Sequence, residues 1–232
     1  MPARARIFYM KDLILYSYFR SSTSFRVRIA LALKDLDYEY RPVHLLNNGG
    51  EQNQSPYRQI NPIGGVPTLI HNGKTLSQSL VIMEYLDDAF PETYQLFPKS
   101  IFQRAKVKQF CENINADMHA LGNLKVLQYL ESKHGYTQSD KEAWVQHWFH
   151  QGFKALETML AETATDYCFG EVITAADALL IPMMVTAERF KLDLTSYPLA
   201  MKIFKNCMQN SAFITAHPIR QPDTPNDLKP AQ

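Results

Sequence analysis

Cysteine is scarce. The 232 residues hold three, Cys111, Cys168 and Cys207, far apart and odd in number. No metal-ligand spacing and no disulfide framework can be read from them, so no metal is expected. Thiols used this sparingly fit a reducing compartment. No apolar run reaches the roughly 18–20 residues that a membrane-spanning helix needs, so no membrane partner is expected. Residues 1–10 are basic but lack a convincing secretory hydrophobic segment. They read as an extension ahead of a start near Met10, and the chain reads as cytoplasmic. Excess charge of one sign is also missing: 24 basic residues face 23 acidic ones, a formal net charge of +1. Strong polyanion binding, nucleic acid included, is not expected. There is no Gly-rich phosphate loop, no zinc-protease helix, no nucleophile elbow and no internal repeat.

What is present is an ordinary globular balance, 46% hydrophobic and 20% charged, with apolar mass for a sizeable core. The length is long for one compact domain and comfortable for two small ones. Basic residues gather early, at Arg4, Arg6, Lys11, Arg20, Arg26 and Arg28. The last three lie in the stretch around which the chain is organised.

That stretch runs from Leu13 to Leu31. The apolar run Leu13-Ile14-Leu15-Tyr16 suits a buried strand. It stops at a hydroxyl cluster, and Ser21, Ser22, Thr23 or Ser24 can cap the helix that follows. Phe25, Ile29, Leu33 and Leu36 recur near helical spacing and should face the core. Free helix-start N–H groups and hydroxyls meet at this corner, which can hold an anion or a thiolate. A helix cap with no further role explains the same residues.

Downstream, residues 38–45 read as a second strand, with Pro42 favouring an edge. A polar turn at Asn47–Gln52 precedes a short helix over Ser55–Gln59, ended by Asn61-Pro62. Val66–Ile70 and a strand opening at Thr75-Leu76 form a hairpin around Asn72-Gly73. Leu80, Ile82, Met83, Leu86 and Ala89 support a helix that Ser77 or Ser79 could cap. Residues 94–99 form a linker, after which the chain turns helical. A long pattern over Gln103–Leu130 has a kink expected near Gly122. Ser139 or Asp140 reads as the cap of a helix whose aromatics Trp144, Trp148, Phe149 and Phe153 mark core packing. Thr174 and Asp177 make a capping box before a buried helix containing Pro182, so structural capping explains Asp177 better than catalysis. The segment from Pro218 reads as an extended polar tail.

The block Ser17-Tyr18-Phe19-Arg20-Ser21-Ser22-Thr23-Ser24-Phe25-Arg26-Val27-Arg28-Ile29-Ala30-Leu31 resembles the zeta class of soluble glutathione transferases, which includes the maleylacetoacetate isomerases. Five further blocks extend the resemblance: Asn61-Pro62 with Val66-Pro67-Thr68-Leu69, Gln78-Ser79, Asn123-Leu124, Glu188-Arg189-Phe190-Lys191 with Asp193-Leu194-Thr195, and Gln221-Pro222-Asp223-Thr224-Pro225. The Val-Pro-Thr and Gln-Ser blocks alone mark only the wider superfamily. The resemblance implies an α/β thioredoxin-like N-terminal domain over residues 11–92 and an all-α C-terminal domain over 98–220. Residues 221–232 form the tail, and a homodimer is expected.

It also implies a cofactor, glutathione. Ser21, Ser22 and Thr23 would surround its sulfur. A cis Val66-Pro67 bond would pair with its cysteinyl part, Gln78 and Ser79 would hold the γ-glutamyl end, and Gln52 the glycine end. His119 aligns with a glutathione contact, and Asn123 is expected one helical turn further along the same face. On residue type alone, a lone histidine in a helix is more often a packed side chain. Many family members carry cysteine where this chain has Thr23, and bacterial maleylpyruvate isomerases can carry threonine there.

The implied reaction is the cis–trans isomerisation of 4-maleylacetoacetate to 4-fumarylacetoacetate in tyrosine and phenylalanine catabolism. Arg20 and Arg189 would pair with the carboxylates of this dicarboxylate diketoacid. A helix-end ion pair explains Arg189 equally well from its position. Maleylpyruvate isomerisation, glutathione transfer to small α-halo acids, and glutathione binding without catalysis remain alternatives.

Overall fold

The computed structural model describes residues 13–230. The chain divides into two compact units: residues up to 94 together with those from 215 onward, and residues 95–214. Arg4, Arg6, Lys11 and the expected start at Met10 lie outside the described residues.

The first unit is built on a four-stranded sheet. Strand β1 (Leu13–Ser17) leads into helix α1 (Ser22–Leu33), which carries the chain to β2 (Glu39–Pro42). β2 pairs parallel to β1, a geometry that requires such a crossover. Helix α2 (Ser55–Ile60) precedes β3 (Thr68–His71) and β4 (Lys74–Ser77), and helix α3 (Ser79–Ala89) follows. The sheet order is β2-β1-β3-β4, with β3 antiparallel to both neighbours. Pro42 therefore lies on an edge strand, where its missing N–H costs no ladder bond. Asn72 (φ 50°) and Gly73 (φ 72°) form the two-residue turn of the β3–β4 hairpin, both with the positive φ that the strand twist requires.

Helix α1 departs from the expected one-sided pattern. Every residue from Ser24 to Leu31 is buried, Arg26 and Arg28 included. Phe25, Val27, Ile29, Ala30 and Leu31 have no exposed surface, while Leu33 is only half-buried. Burying a large apolar side chain stabilises by about 1.5–3 kcal/mol, so this helix anchors the unit. Lys34, just past its end, meets Asp87 of α3 at 2.7 Å, both side chains almost fully buried.

The segment from Pro218, legible as an extended tail, instead makes 3-10 turns at Pro218–Arg220 and Asn226–Leu228. Gln221 and Thr224 are buried in it.

The second unit is helical: α4 (Ile101–Ile114), α5 (Leu124–His134), α6 (Gln138–Thr163), α7 (Ala175–Arg189) and α8 (Pro198–Cys207), with α9 (Ser211–Ala216) running across the division. Val145, Phe149, Phe153, Leu156 and Leu160 line the buried side of α6, as core packing predicts for the two phenylalanines, whereas Trp144 and Trp148 are only part-buried. Its cap is Thr137, with Asp140 as the reciprocal partner, in place of the expected Ser139 or Asp140. The Thr174–Asp177 box forms as read. Asp177 also accepts the Cys168 N–H at 2.8 Å, a fully buried structural role.

The long pattern over 103–130 is broken. α4 runs into a π-turn at Asn115–His119, three residues of turn follow, and α5 starts afresh. Met118 of that π-turn sits where a side chain on Gly152 of α6 would be, and only glycine leaves it room.

Candidate functional site

After β1 the chain turns through Tyr18–Ser21, closed by Ser21 N–H donating to Tyr18 O at 3.0 Å. Ser21 has extended backbone and caps α1, its Oγ accepting the Ser24 N–H at 3.2 Å. A serine at this position stabilises a helix by about 1 kcal/mol relative to alanine. Thr23 Oγ1 donates to the Val66 carbonyl at 2.8 Å and lies 2.9 Å from Ser21 Oγ.

The direction of these bonds follows from the chemistry. A carbonyl only accepts, so Thr23's single hydroxyl hydrogen goes to Val66. Ser21 must then give its own hydrogen to Thr23. The result is one chain of donors: Ser24 N–H to Ser21, Ser21 to Thr23, Thr23 to Val66. Ser22 is different. Its half-exposed hydroxyl makes no hydrogen bond among the described residues. It stands at the first turn of α1, where backbone N–H groups have no intrahelical acceptor. That end of a helix favours negative charge.

Val66–Pro67 is a cis peptide bond, the isomer the resemblance implies. The loop before it passes close to Gln52, since a side chain on Gly64 would meet the Gln52 carbonyl. Gln52 is buried; its Nε2 donates to Leu45 O at 3.2 Å while its Oε1 is buried without a partner. A buried orphan acceptor is uncommon and asks for a ligand donor.

Gln78, not Ser77 or Ser79, occupies the cap position of α3, and its side chain makes no cap bond. Its backbone (φ 73°, ψ 115°) is strained for a residue with a side chain, at a cost of roughly 1–3 kcal/mol. Ser79 is buried and its Oγ accepts from Arg26 Nη1 at 3.2 Å, which ties α3 to α1.

Charge at the corner is distributed unlike a simple basic patch. Arg20 is exposed, its guanidinium 5.9 Å from the Phe19 ring centre. Arg28 is inside, donating to Ser17 Oγ and to the carbonyls of Tyr18, Phe19 and Ala216. Burial lowers its pKa to about 10, against the pull of Tyr40, Tyr38 and Asp223, so it keeps its charge at neutral pH. Asp223 accepts the Phe19 N–H at 2.9 Å and the Tyr40 hydroxyl at 2.6 Å. Burial and that hydrogen bond push Tyr40 upward, so its hydroxyl stays a donor.

The first unit thus joins Ser21, Thr23 and Val66 directly and places Ser22 beside them in sequence. Gln52, Gln78 and Ser79 belong to the same unit. His119, Asn123 and Arg189 belong to the helical unit. His119 ends the π-turn, whereas Asn123 caps α5, its Oδ1 accepting Lys125 N–H at 3.1 Å. The two are therefore not a turn apart on one helix face, because the helix stops between them. Arg189 is the exposed last residue of α7, its guanidinium 5.1 Å from the Phe190 ring centre. No group of three or more metal-ligating side chains occurs among the described residues. Residue patterns placed Arg28 in the stretch that forms the corner but missed Tyr40 and Asp223 as parts of it. For Asp223 the one signal was its place in the Gln221–Pro225 block.

Residues 11–88 match the glutathione S-transferase N-terminal domain family. The chain is 43% identical over 214 residues to a probable maleylacetoacetate isomerase of Vibrio cholerae, covering 92% of this chain and 99% of that protein. A solved holo structure of a maleylpyruvate isomerase, described as a bacterial zeta-class glutathione S-transferase, superposes with a TM-score of 0.88 at 37% identity. That match covers 93% of this chain and all of the other. The maleylacetoacetate isomerase of Methylobacterium extorquens AM1, solved with malonate and GSH bound, gives a TM-score of 0.87 at 32% identity over 91% of this chain and 99% of that one.

Proposed function

Because the chain belongs to the zeta class of the glutathione S-transferase family, we propose that it isomerises 4-maleylacetoacetate to 4-fumarylacetoacetate with glutathione as a regenerated cofactor. The observation that carries this reading is the Ser22 hydroxyl, free of internal partners at the positive end of α1 and next to a donor chain that ends on the cis-proline loop. The residues of the first unit fit the tripeptide. Gln52 offers a buried, unpartnered acceptor oxygen to the N–H of its glycine residue. The start of α3 behind Gln78 and Ser79 offers N–H groups to its γ-glutamyl carboxylate. When bound, glutathione would supply a sulfur whose addition makes the substrate double bond a single bond free to rotate, and whose departure restores the double bond and the free thiol.

The protein's part is to hold that sulfur ionised and the substrate oriented. Ser22 Oγ–H donates to the sulfur, and the α1 N-terminus lowers the thiol's pKa. Ser21 reaches it by turning its hydrogen away from Thr23. Arg20 and Arg189 bind the substrate carboxylates, and the planar guanidinium suits a carboxylate pair. His119 and Asn123 add contacts to glutathione. The exposed Ile101 and Phe102 at the start of α4, 88% and 70% accessible, support a homodimer that covers them. Cytoplasmic operation fits a chain whose described helices are not long and apolar enough to cross a membrane.

Maleylpyruvate is the second reading, favoured by Thr23 and by the likeness to the zeta-class maleylpyruvate isomerase. A panel of both diketoacids and small α-halo acids, assayed with and without reduced glutathione while free thiol is followed, decides. Isomerisation that requires glutathione and leaves its concentration unchanged supports the reading. Turnover without glutathione, or its consumption into a stable conjugate, overturns it.

A further inference from the structure

The turn that delivers Ser21 and Ser22 is gripped from two sides. Arg28 Nη2 takes the Phe19 carbonyl at 3.0 Å, and its Nη1 takes Tyr18 O at 3.3 Å and Ser17 Oγ at 3.1 Å. Its Nε reaches Ala216 O at 3.0 Å, where the chain returns from α9. Asp223 Oδ2 takes the Phe19 N–H at 2.9 Å. Both polar groups of the Phe19 backbone are therefore held by charged side chains. The other carboxylate oxygen, Oδ1, accepts from Tyr40 on β2, the neighbour of β1.

The segment carrying Asp223 is itself organised. Gln221 Nε2 donates to the carbonyls of Thr215 and His217, at 2.9 and 2.8 Å. Thr224 Oγ1 donates to Pro218 O at 2.6 Å and accepts the Gln221 N–H at 3.1 Å. These bonds turn a proline-rich stretch into a fixed loop that presents one carboxylate. Between its anchor at Phe19 and the cap at Ser21 lies only Arg20, which is exposed. Nothing about Arg20 itself fixes the direction in which the next two hydroxyls leave the turn.

We propose that Asp223 is a positioning residue for the Ser21–Ser22 corner: the C-terminal loop completes the catalytic turn by holding the Phe19 peptide against β2. The proposal rests on the reading of that corner as a thiolate site. Asp223 touches neither cofactor nor substrate in this account. It fixes the orientation of the Ser22 hydroxyl and of the first amides of α1, and through them the ionisation of a thiol placed there.

The test compares the full-length protein with Asp223→Ala, Asp223→Asn and Tyr40→Phe. Four quantities are read: melting temperature, amide hydrogen exchange over residues 17–23, the pH titration of bound glutathione by thiolate absorbance, and kcat with KM for glutathione. Asp223→Ala is expected to speed exchange in that segment, raise the thiol pKa by about one unit and lower kcat about tenfold, one unit corresponding to a tenfold change in ionisation. Asp223→Asn keeps an acceptor for the Phe19 N–H and is expected to stay within about threefold of the parent. Tyr40→Phe, which frees only one oxygen of Asp223, should move the same readouts by a smaller step.

Unchanged thiol titration, exchange and kcat in Asp223→Ala, with only a lower melting temperature, overturn the proposal. Should that variant not fold, Asp223→Ser, whose shorter side chain withdraws the acceptor from the Phe19 N–H, takes its place, and the same outcome overturns the proposal. A parent protein that does not bind glutathione sinks the functional reading instead, while exchange at residues 17–23 still reports whether Asp223 holds the turn.

Discussion

Thr23 gives its hydroxyl hydrogen to the Val66 carbonyl across 2.8 Å, joining the first turn of α1 to the residue that precedes Pro67. The same oxygen receives the hydrogen of Ser21. Removing the hydroxyl leaves the Val66 carbonyl without that donor and Ser21 without an acceptor. A neutral hydrogen bond contributes about 0.5–1.5 kcal/mol, so Thr23→Val should lower kcat/KM by roughly tenfold. Thr23→Ser keeps the donor chain and should stay within about twofold. Steady-state kinetics of the three proteins check both expectations; equal values for valine and serine would contradict the donor chain.

Ser21 and Ser22 should separate cleanly. Ser22→Ala removes a hydroxyl with no internal partner, so its melting temperature should match the parent while turnover falls about 10–100-fold, the range for a hydrogen bond to a charged group. Ser21→Ala also removes the helix cap, costing about 1 kcal/mol, and should melt roughly 2–4 °C lower. Calorimetry alongside turnover assigns the two roles.

Acid should loosen the C-terminal loop. His217 Nδ1 accepts the Ile219 N–H and so must be unprotonated, and its ring packs edge-on against Phe25. Burial, with Arg28 and Arg220 adding repulsion, lowers its pKa below the usual histidine value. The unfolded chain therefore binds the proton more readily. The stability that His217 contributes is full above the ordinary pKa of about 6.5 and is lost as pH falls through the lower folded value. Melting temperatures between pH 7.5 and 5 should fall less steeply in His217→Asn, which keeps an acceptor but does not titrate.

Thiol reagents should leave the native protein active. Cys111, Cys168 and Cys207 are all buried, and burial pushes the last two thiols well up from their usual range. Position 23 at the corner is threonine, so no cysteine lies there to be labelled. Iodoacetamide, removed before glutathione is restored, should label the folded protein very little and preserve turnover, with all three cysteines labelled in urea. Mass spectrometry reads the labelling, and inactivation in the folded state would contradict it.

Arginine replacements probe the substrate end. Arg20→Met and Arg189→Met should each raise KM for the diketoacid about tenfold or more and leave KM for glutathione near the parent, because a lost charge-assisted pair costs about 1.5–3 kcal/mol. Unchanged efficiency toward both maleylacetoacetate and maleylpyruvate removes the residue from the proposed role.

Much of both units was legible because the signals are local. A hydroxyl cluster after an apolar run marks a capped helix, Asn72-Gly73 marks a hairpin turn, and, in the helical unit, Thr174 with Asp177 marks a box. Where two neighbours can serve, residue type alone leaves the choice open: Thr137 caps α6 rather than Ser139, and Gln78 stands at the start of α3 in a strained backbone that no propensity favours. The π-turn at Asn115–His119 depends on Gly152 receiving Met118, a contact between distant segments. For Arg26 and Arg28 residue type leaves structural and surface roles both open; Ser79 and the Ala216 carbonyl, which hold them inside, lie 53 and 188 positions away. Asp223 reaches Phe19 across 204 positions, a separation to which periodicity is blind.

The discontinuity of the first unit has a consequence for biosynthesis. Residues up to 94 leave the ribosome well before the residues from 215 onward that belong to the same unit. Until the latter do, Arg28 lacks the Ala216 carbonyl and Phe19 lacks Asp223. A nascent chain stalled before that point would carry the serines of the turn without the loop that holds them, so synthesis of that loop also completes the corner.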